Sequence, residues 1–314
     1  MVKPLASALL ALFTAFNVQA QSVTQAVVPF PAGGPLDALV RVLTAKMNSP
    51  TDTFVVDNRA GANGVIGAKF VAAAPVDGRT WLFADGALVS VNPKLYPKDA
   101  NFDAERDLKA VAGLVLQPAI LVVNPASPWN SVQDLVTAAK KKQLNYASGG
   151  VGSSGHLTME LFDNAAGITM LHVPYKGAAP AMTDLLGGQV DAAFVSVAGA
   201  IRHVRSGKLR ALAVSGAQRI AALPDVPTVA QSGITNFQVQ GAYFLMLSSK
   251  TTPAVMQATG EMVLKALADK EVQDRLRALG LEPTPMDMTA AASWLATDKA
   301  RMAKLITEKN IKAD

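Results

Sequence analysis

No cysteine occurs among the 314 residues. That excludes thiolate metal sites, disulfide staples and a cysteine nucleophile, and leaves the compartment open. Histidine is nearly as scarce, and the spacing of His156, His172 and His203 matches no zinc motif. Aromatic residues make up 6% and charged residues 17%, against 50% hydrophobic. So apolar a chain is not disordered; it packs as an α/β protein, with the length for two domains or one large one. The net charge is +5, but the densest basic run, Lys140-Lys141-Lys142, closes a predicted helix, where cations complement the dipole. No arginine–aromatic interleaving suggests base stacking, so no nucleic-acid partner is expected.

The usual catalytic signatures are missing too. There is no G-x-S-x-G elbow. Gly207-Lys208 resembles the end of a P-loop, but Arg202 stands where its first glycine belongs. No pair of carboxylates falls in a loop with an evident acid/base role. The expectation is a protein that is not an enzyme, with no cofactor and no metal. A secreted hydrolase is the weaker alternative.

What is present begins with an address. Lys3, the apolar stretch Leu5 to Phe16 and the small-x-small motif Val18-Gln19-Ala20 describe a signal peptide cut after Ala20, too short to span a bilayer, which needs ~20 apolar residues. Cleavage removes Lys3 and no acid, which leaves 28 basic against 24 acidic side chains, a net +4. No later stretch reaches that length without charges or breakers, so the expected product is a soluble periplasmic protein.

From Ser22 the pattern alternates. Strands are predicted at 24–30, 54–56, 81–84, 120–123, 145–148, 172–175, 192–196 and 212–215. Helices are predicted at 35–47, 64–74, from Ser131, and at 156–166, 179–186 and 198–205, with three more over 253–268, 271–279 and 289–309. Such alternation predicts mainly parallel sheets flanked by helices. Two stretches read as crossings: Gln117 to Asn124, and the long β-rich run Phe237 to Leu247. The expected division is residues 21–122 with 239–314 in one lobe and 123–238 in the other, hinged between them over a cleft.

Three loops join a predicted strand to a predicted helix with few side chains. In Pro29–Asp37, two prolines bracket Ala32-Gly33-Gly34, a stiff turn whose bare backbone suits an anion at a helix N-terminus. Gly149-Gly150-Val151-Gly152-Ser153-Ser154-Gly155-His156 has the same character. It contains G-x-G-x-x-G, but no acid follows at the next strand's end, which argues against a dinucleotide. Ser153 and Ser154 can bond an anion or cap the helix, and His156 is expected to orient the loop or cap the helix. Pro174-Tyr175-Lys176-Gly177 is the third, where Tyr175 offers a hydroxyl and Lys176 a cation. Asp85-Gly86 closes a fourth turn at the same level.

These loops, in this order, resemble the substrate-binding proteins of tripartite tricarboxylate transporters, the Bug family. The stretches PFPAGGPLD, VDNRAGANGVIGAK, PVDGRTWLFA, GSSGHLTMELF, HVPYKGAAPAMTDLLGGQVDAAF and GKLRALAVSGAQRIAALPDVPTVAQSG carry the likeness over essentially the whole mature chain. The resemblance implies a monomeric, two-lobed periplasmic flytrap that captures a small carboxylate or amino-acid-like metabolite and delivers it to membrane permease subunits. An exported sensor feeding a signalling partner fits the same fold. It implies a ligand held by loop backbone, hydroxyls and waters, at Ala32, Gly33, Gly34, Asp37, Ser153, Ser154, His156, Tyr175, Lys176, Gly177 and Ser196. Three positions depart from the family pattern. Leu36 replaces a common Thr or Ser, and Gly241-Ala242-Tyr243 replaces a Trp-x-Gly element. Asp85-Gly86 replaces a polar run; facing the cleft, Asp85 would repel a second carboxylate and favour an amine.

Overall fold

Strand and helix alternate from the first described residue of the computed structural model, which describes residues 22–95 and 102–312. The signal peptide expected at 1–20 lies outside the described residues. The chain opens with β1 (Ser22–Val28), α1 (Pro35–Met47), β2 (Asp52–Asn58), a 3₁₀ turn (Ala62–Gly64), α2 (Val65–Ala72) and β3 (Thr80–Asp85). Three short helices follow, α3 (Ala87–Ser90), α4 (Asn92–Leu95) and α5 (Ala104–Asp107), then the strand β4 (Leu108–Val123). The middle of the chain holds α6 (Val132–Ala139), β5 (Asn145–Ser148), α7 (Ser154–Ala166), β6 (Leu171–Pro174) and α8 (Ala178–Leu186). It closes with β7 (Ala192–Ser196), α9 (Val197–Arg205) and β8 (Arg210–Val214). The last third is β9 (Gln240–Ser248), α10 (Pro253–Leu267), α11 (Lys270–Ala278), β10 (Glu282–Met286) and α12 (Met288–Glu308).

Local chemistry sets several boundaries. Gly34 caps α1, and Pro35 supplies the first turn, where its missing N–H costs nothing. Ser131 and Asp134 form a full capping box at the start of α6, the kind of cap whose loss costs about 1 kcal/mol. Gly167 ends α7 in the left-handed conformation.

The strands form one curled sheet in the order β2-β1-β3-β9-β4-β7-β5-β6, with β10 and β8 also on β4. Pairing is parallel within the β2-β1-β3 and β7-β5-β6 portions. It is antiparallel wherever β4 or β9 takes part. The strand expected at 120–123 is the end of a 16-residue strand, β4, which pairs with β9 from Leu108–Ser248 to Pro118–Gln240. Beyond Pro118, β4 pairs with β7 and β8 instead. The apolar cores separate along the same line. One set draws on residues 26–115 and 242–295, the other on residues 120–239. The molecule thus has a first and a second lobe joined by β4 and β9. A further apolar cluster joins Val91 and Leu95 to Leu157 of α7 and to Met302, Leu305 and Ile306 of α12. Lys309, just past α12, pairs with Glu160 of α7 at 3.2 Å, so the last helix reaches across to the second lobe.

Candidate functional site

A cavity of about 420 Å³ lies between the lobes. Its first-lobe wall comes from the ends of β1 and β3 and from the segments that follow them. Pro29 and Phe30 leave β1, Asn63 and Gly64 form the 3₁₀ turn, Asp85 ends β3, and Ser90 and Asn92 sit in the short helices. Gln117 to Ala119 and Gln240–Gly241 supply the crossing strands. The second lobe contributes Gly149, Val151 to Ser154, Thr158 and Phe194 to Ser196. Trp294, Asp298 and Met302, spaced four apart on one face of α12, complete it.

On the second-lobe side the carboxyl ends of β5 and β7 deliver the chain to helix N-termini, where free N–H groups and the dipole favour negative charge. Ser153 caps α7 by accepting the His156 N–H at 3.4 Å, and Ser196 caps α9 by accepting the Gly199 N–H at 3.2 Å. Each acceptance uses an oxygen lone pair and leaves the hydroxyl proton to be donated. Ser154 is exposed in the first turn of α7.

The glycine loop between β5 and α7 is held from behind. Gly152 N–H donates to His156 Nδ1 at 3.0 Å, and Gly150 N–H donates to Ser148 Oγ at 3.1 Å. Ser148 Oγ in turn lies 2.7 Å from His172 Nε2. The two imidazoles stack with centroids 4.0 Å apart. Burial, then the neighbouring His172, push His156 down to about 4, so it is neutral and can accept that amide proton. Gly152 has φ +76, and a Cβ there would fall 2.3 Å from Leu95 Cδ1 of the first lobe.

On the first-lobe side, Asn63 Nδ2 donates to Asn92 Oδ1 at 2.8 Å, and Asn92 Nδ2 donates to the Asn63 carbonyl at 2.9 Å. Asn63 takes φ 51, a left-handed value that asparagine tolerates. Asp85 accepts the Ala87 N–H at 2.9 Å and has a long 3.5 Å contact from Gln117 Nε2. Asp298 is paired with Arg301 at 2.5 Å, and Arg301 Nη1 donates to the Gln238 carbonyl at 2.9 Å.

Among the expected site residues, Asp85, Ser153, Ser154 and Ser196 line this cavity. The others are elsewhere. Ala32 and Gly33 are exposed and Gly34 half-buried on the turn beyond Phe30, outside the lining. Asp37 is buried beneath that turn, accepting from Gly33 N–H at 3.0 Å, Arg41 Nε at 2.9 Å and Asn58 Nδ2 at 3.0 Å. Burial works to raise its carboxyl, but these bonds outweigh it and hold Asp37 below the usual range. His156 lies behind the glycine loop. Tyr175 donates to Asp184 at 2.6 Å, a bond that pushes the phenol up to about 12. Lys176 is exposed. Gly177 N–H donates to the Gly149 carbonyl at 3.2 Å, so the third loop supports the second.

Asn63, Ser90, Asn92, Gln117, Gln240, Trp294 and Asp298 also line the cavity and were not expected there. The Asn-Gly pair at 63–64 is a turn signal that could have drawn notice. Asp298 interrupts an otherwise apolar stripe between Trp294 and Met302, the sign of a carboxylate with a buried task. Among the described residues, no cluster of His, Asp or Glu could hold a metal, and no helix is long and apolar enough to cross a membrane.

The model of the tripartite tricarboxylate transporter family receptor matches residues 39–311. The chain therefore belongs to that receptor family. Protein BugT of Bordetella pertussis is 33% identical over 292 residues, covering 92% of this chain and 89% of that one. Among solved structures, Rpa4515 of R. palustris with adipate aligns with TM-score 0.80 at 29% identity, over 92% of this chain and 97% of that one. MatC of Rhodopseudomonas palustris with bound malate aligns with TM-score 0.74 at 28% identity, over 90% and 99%. Receptors of this family are periplasmic solute-binding components of a transporter.

Proposed function

We propose that this receptor is exported, with cleavage after Ala20, and captures a small carboxylate-bearing metabolite between its lobes. It hands the ligand to membrane permease subunits and performs no chemistry on it. The observation that supports this best is the cleft itself: hydroxyl-capped starts of α7 and α9 face polar amides of the first lobe across about 420 Å³. Ser153, Ser154 and Ser196 take the carboxylate, with the Asn63–Asn92 pair opposite. The lobes divide near 122 and 239, and β4 and β9 form the hinge.

The energetics suffice without a cationic clamp. Hydrogen bonds to a charged group contribute about 1.5–3 kcal/mol each, so four or five give roughly 6–15 gross. Loop ordering and lost ligand freedom offset part of that. A micromolar dissociation constant needs about 8 kcal/mol net. Closure excludes water and strengthens each contact.

Titration calorimetry with adipate, succinate and small amino acids tests this reading. At least one binds at micromolar level and is recovered unchanged. Ser153→Ala combined with Ser196→Ala weakens it by about a hundredfold or more, at about 1.5–3 kcal/mol per donor removed. No binding by any of them, or turnover of the bound compound, contradicts it.

A further inference from the structure

The side chains that line the cavity include two aspartates and, among the described residues, no lysine, arginine or histidine. Resting on the carboxylate-receptor reading, we propose that Asp85 and Asp298 form a cation subsite at the first-lobe end of the cleft. The ligand then carries an ammonium group opposite its carboxylate: it is a small amino acid or another amine-bearing carboxylate.

The two aspartates are not equivalent. Asp298 is buried and already has a counter-ion, Arg301, which lies outside the lining. Among the described residues, Asp85 has only neutral hydrogen-bond partners, the Ala87 amide and the distant Gln117 amide. Tyr243 of β9 stands behind it as a further neutral group, close enough that the Asp85 charge raises the phenol, after burial itself. Burial, and then Asp298, push the Asp85 carboxyl above the usual carboxylate range. A carboxylate so placed needs either a proton or a cation. An ammonium group supplies the cation and bonds two acceptors at once. Trp294, one turn before Asp298 on the same face of α12, adds the aromatic wall that cations favour. The other end of the cleft is of opposite character, with serine hydroxyls and helix N-termini. A zwitterion matches both ends. A dicarboxylate would set its second carboxylate against two acidic side chains, which specific sites use to reject a ligand.

The test compares ligands that differ only in one end. Adipate, 5-aminopentanoate and pentanoate form one series; succinate, 3-aminopropanoate and propanoate form another, with alanine added. Each is titrated by calorimetry into the mature protein at neutral pH. The amine-bearing member is expected to bind at least tenfold tighter than its dicarboxylate. Asp85→Asn abolishes the preference while the melting curve stays cooperative. A dicarboxylate that binds more tightly than its amine-bearing counterpart would overturn the proposal, and the receptor reading would stand. Binding by no member of either series would remove both. The ranking with unaltered protein decides the matter even where Asp85→Asn fails to fold.

Discussion

His156 shows how a side chain outside the cavity can shape it. Its neutral ring accepts the Gly152 amide, and His172 stacks on it, so the glycine loop has one conformation. Asp163, on the next turns of α7, is a different case. Its Oδ2 accepts the Met170 N–H at 2.7 Å, while Oδ1 is buried with no hydrogen-bond partner among the described residues. Burial raises this carboxyl to about 7. In the unfolded chain the group titrates near ~3.9. Between those values the native state keeps a proton that the unfolded state has lost, so stability falls as pH rises from about 4 to about 7. Asp163→Asn does not titrate. Its stability relative to the unaltered protein should rise over that window by about 4 kcal/mol, at about 1.4 kcal/mol per pH unit and ~2–4 °C per kcal/mol, and stay constant above it. Melting curves at pH 4.5, 6 and 8 check this; a gap that narrows with rising pH contradicts it. The sequence places His156 in the glycine loop, as a residue that orients that loop or caps the helix; the imidazole stack and the buried carboxyl of Asp163 were not legible. His156 and Asp163 are ordinary members of a helical pattern, and their partners come from strands and turns that only the fold brings near.

At the scale of elements, regular alternation made the βα units readable. The helix expected at 35–47 matches α1, and the strands at 145–148 and 192–196 match β5 and β7. The short helices α3, α4 and α5 were not expected, and neither were β10 and the first twelve residues of β4. β4 hides its length because Gly113 and Pro118 interrupt an apolar run that would otherwise read as one strand. β10 hides because Pro283 and Pro285 lack the N–H of a central strand; only an edge position, on β4 alone, tolerates them. Side-chain-poor loops were easy to find, but which of them faced the cleft was not, since the turn at 32–34 and that at 149–153 have the same local signature. Gly152 separates them. With φ +76 and Leu95 2.3 Å from where a Cβ would sit, Gly152→Ala should cost about 1–2 kcal/mol from backbone conformation alone, and more from the clash. Adding Leu95→Ala should recover ligand affinity but leave the backbone cost, as urea unfolding and calorimetry would show. Full recovery of both would mean that the loop's conformation is not constrained.

For the whole molecule, the segments that build the cleft come from eight stretches of the chain, and Trp294 of α12 closes it from 202 residues beyond Asn92. The family resemblance carried the architecture, because ordered loops over the full length specify topology. It could not say which polar groups converge, because Asn63, Gln117 and Asp298 are far apart in the chain and reach one cavity only through the fold. A crystal structure of the protein with a bound small carboxylate tests the central claim most directly. The ligand is expected between the lobes, its carboxylate against Ser153, Ser154 and Ser196. Density for it instead on the outer turn at Gly33 and Gly34, with the cleft empty, would contradict the account.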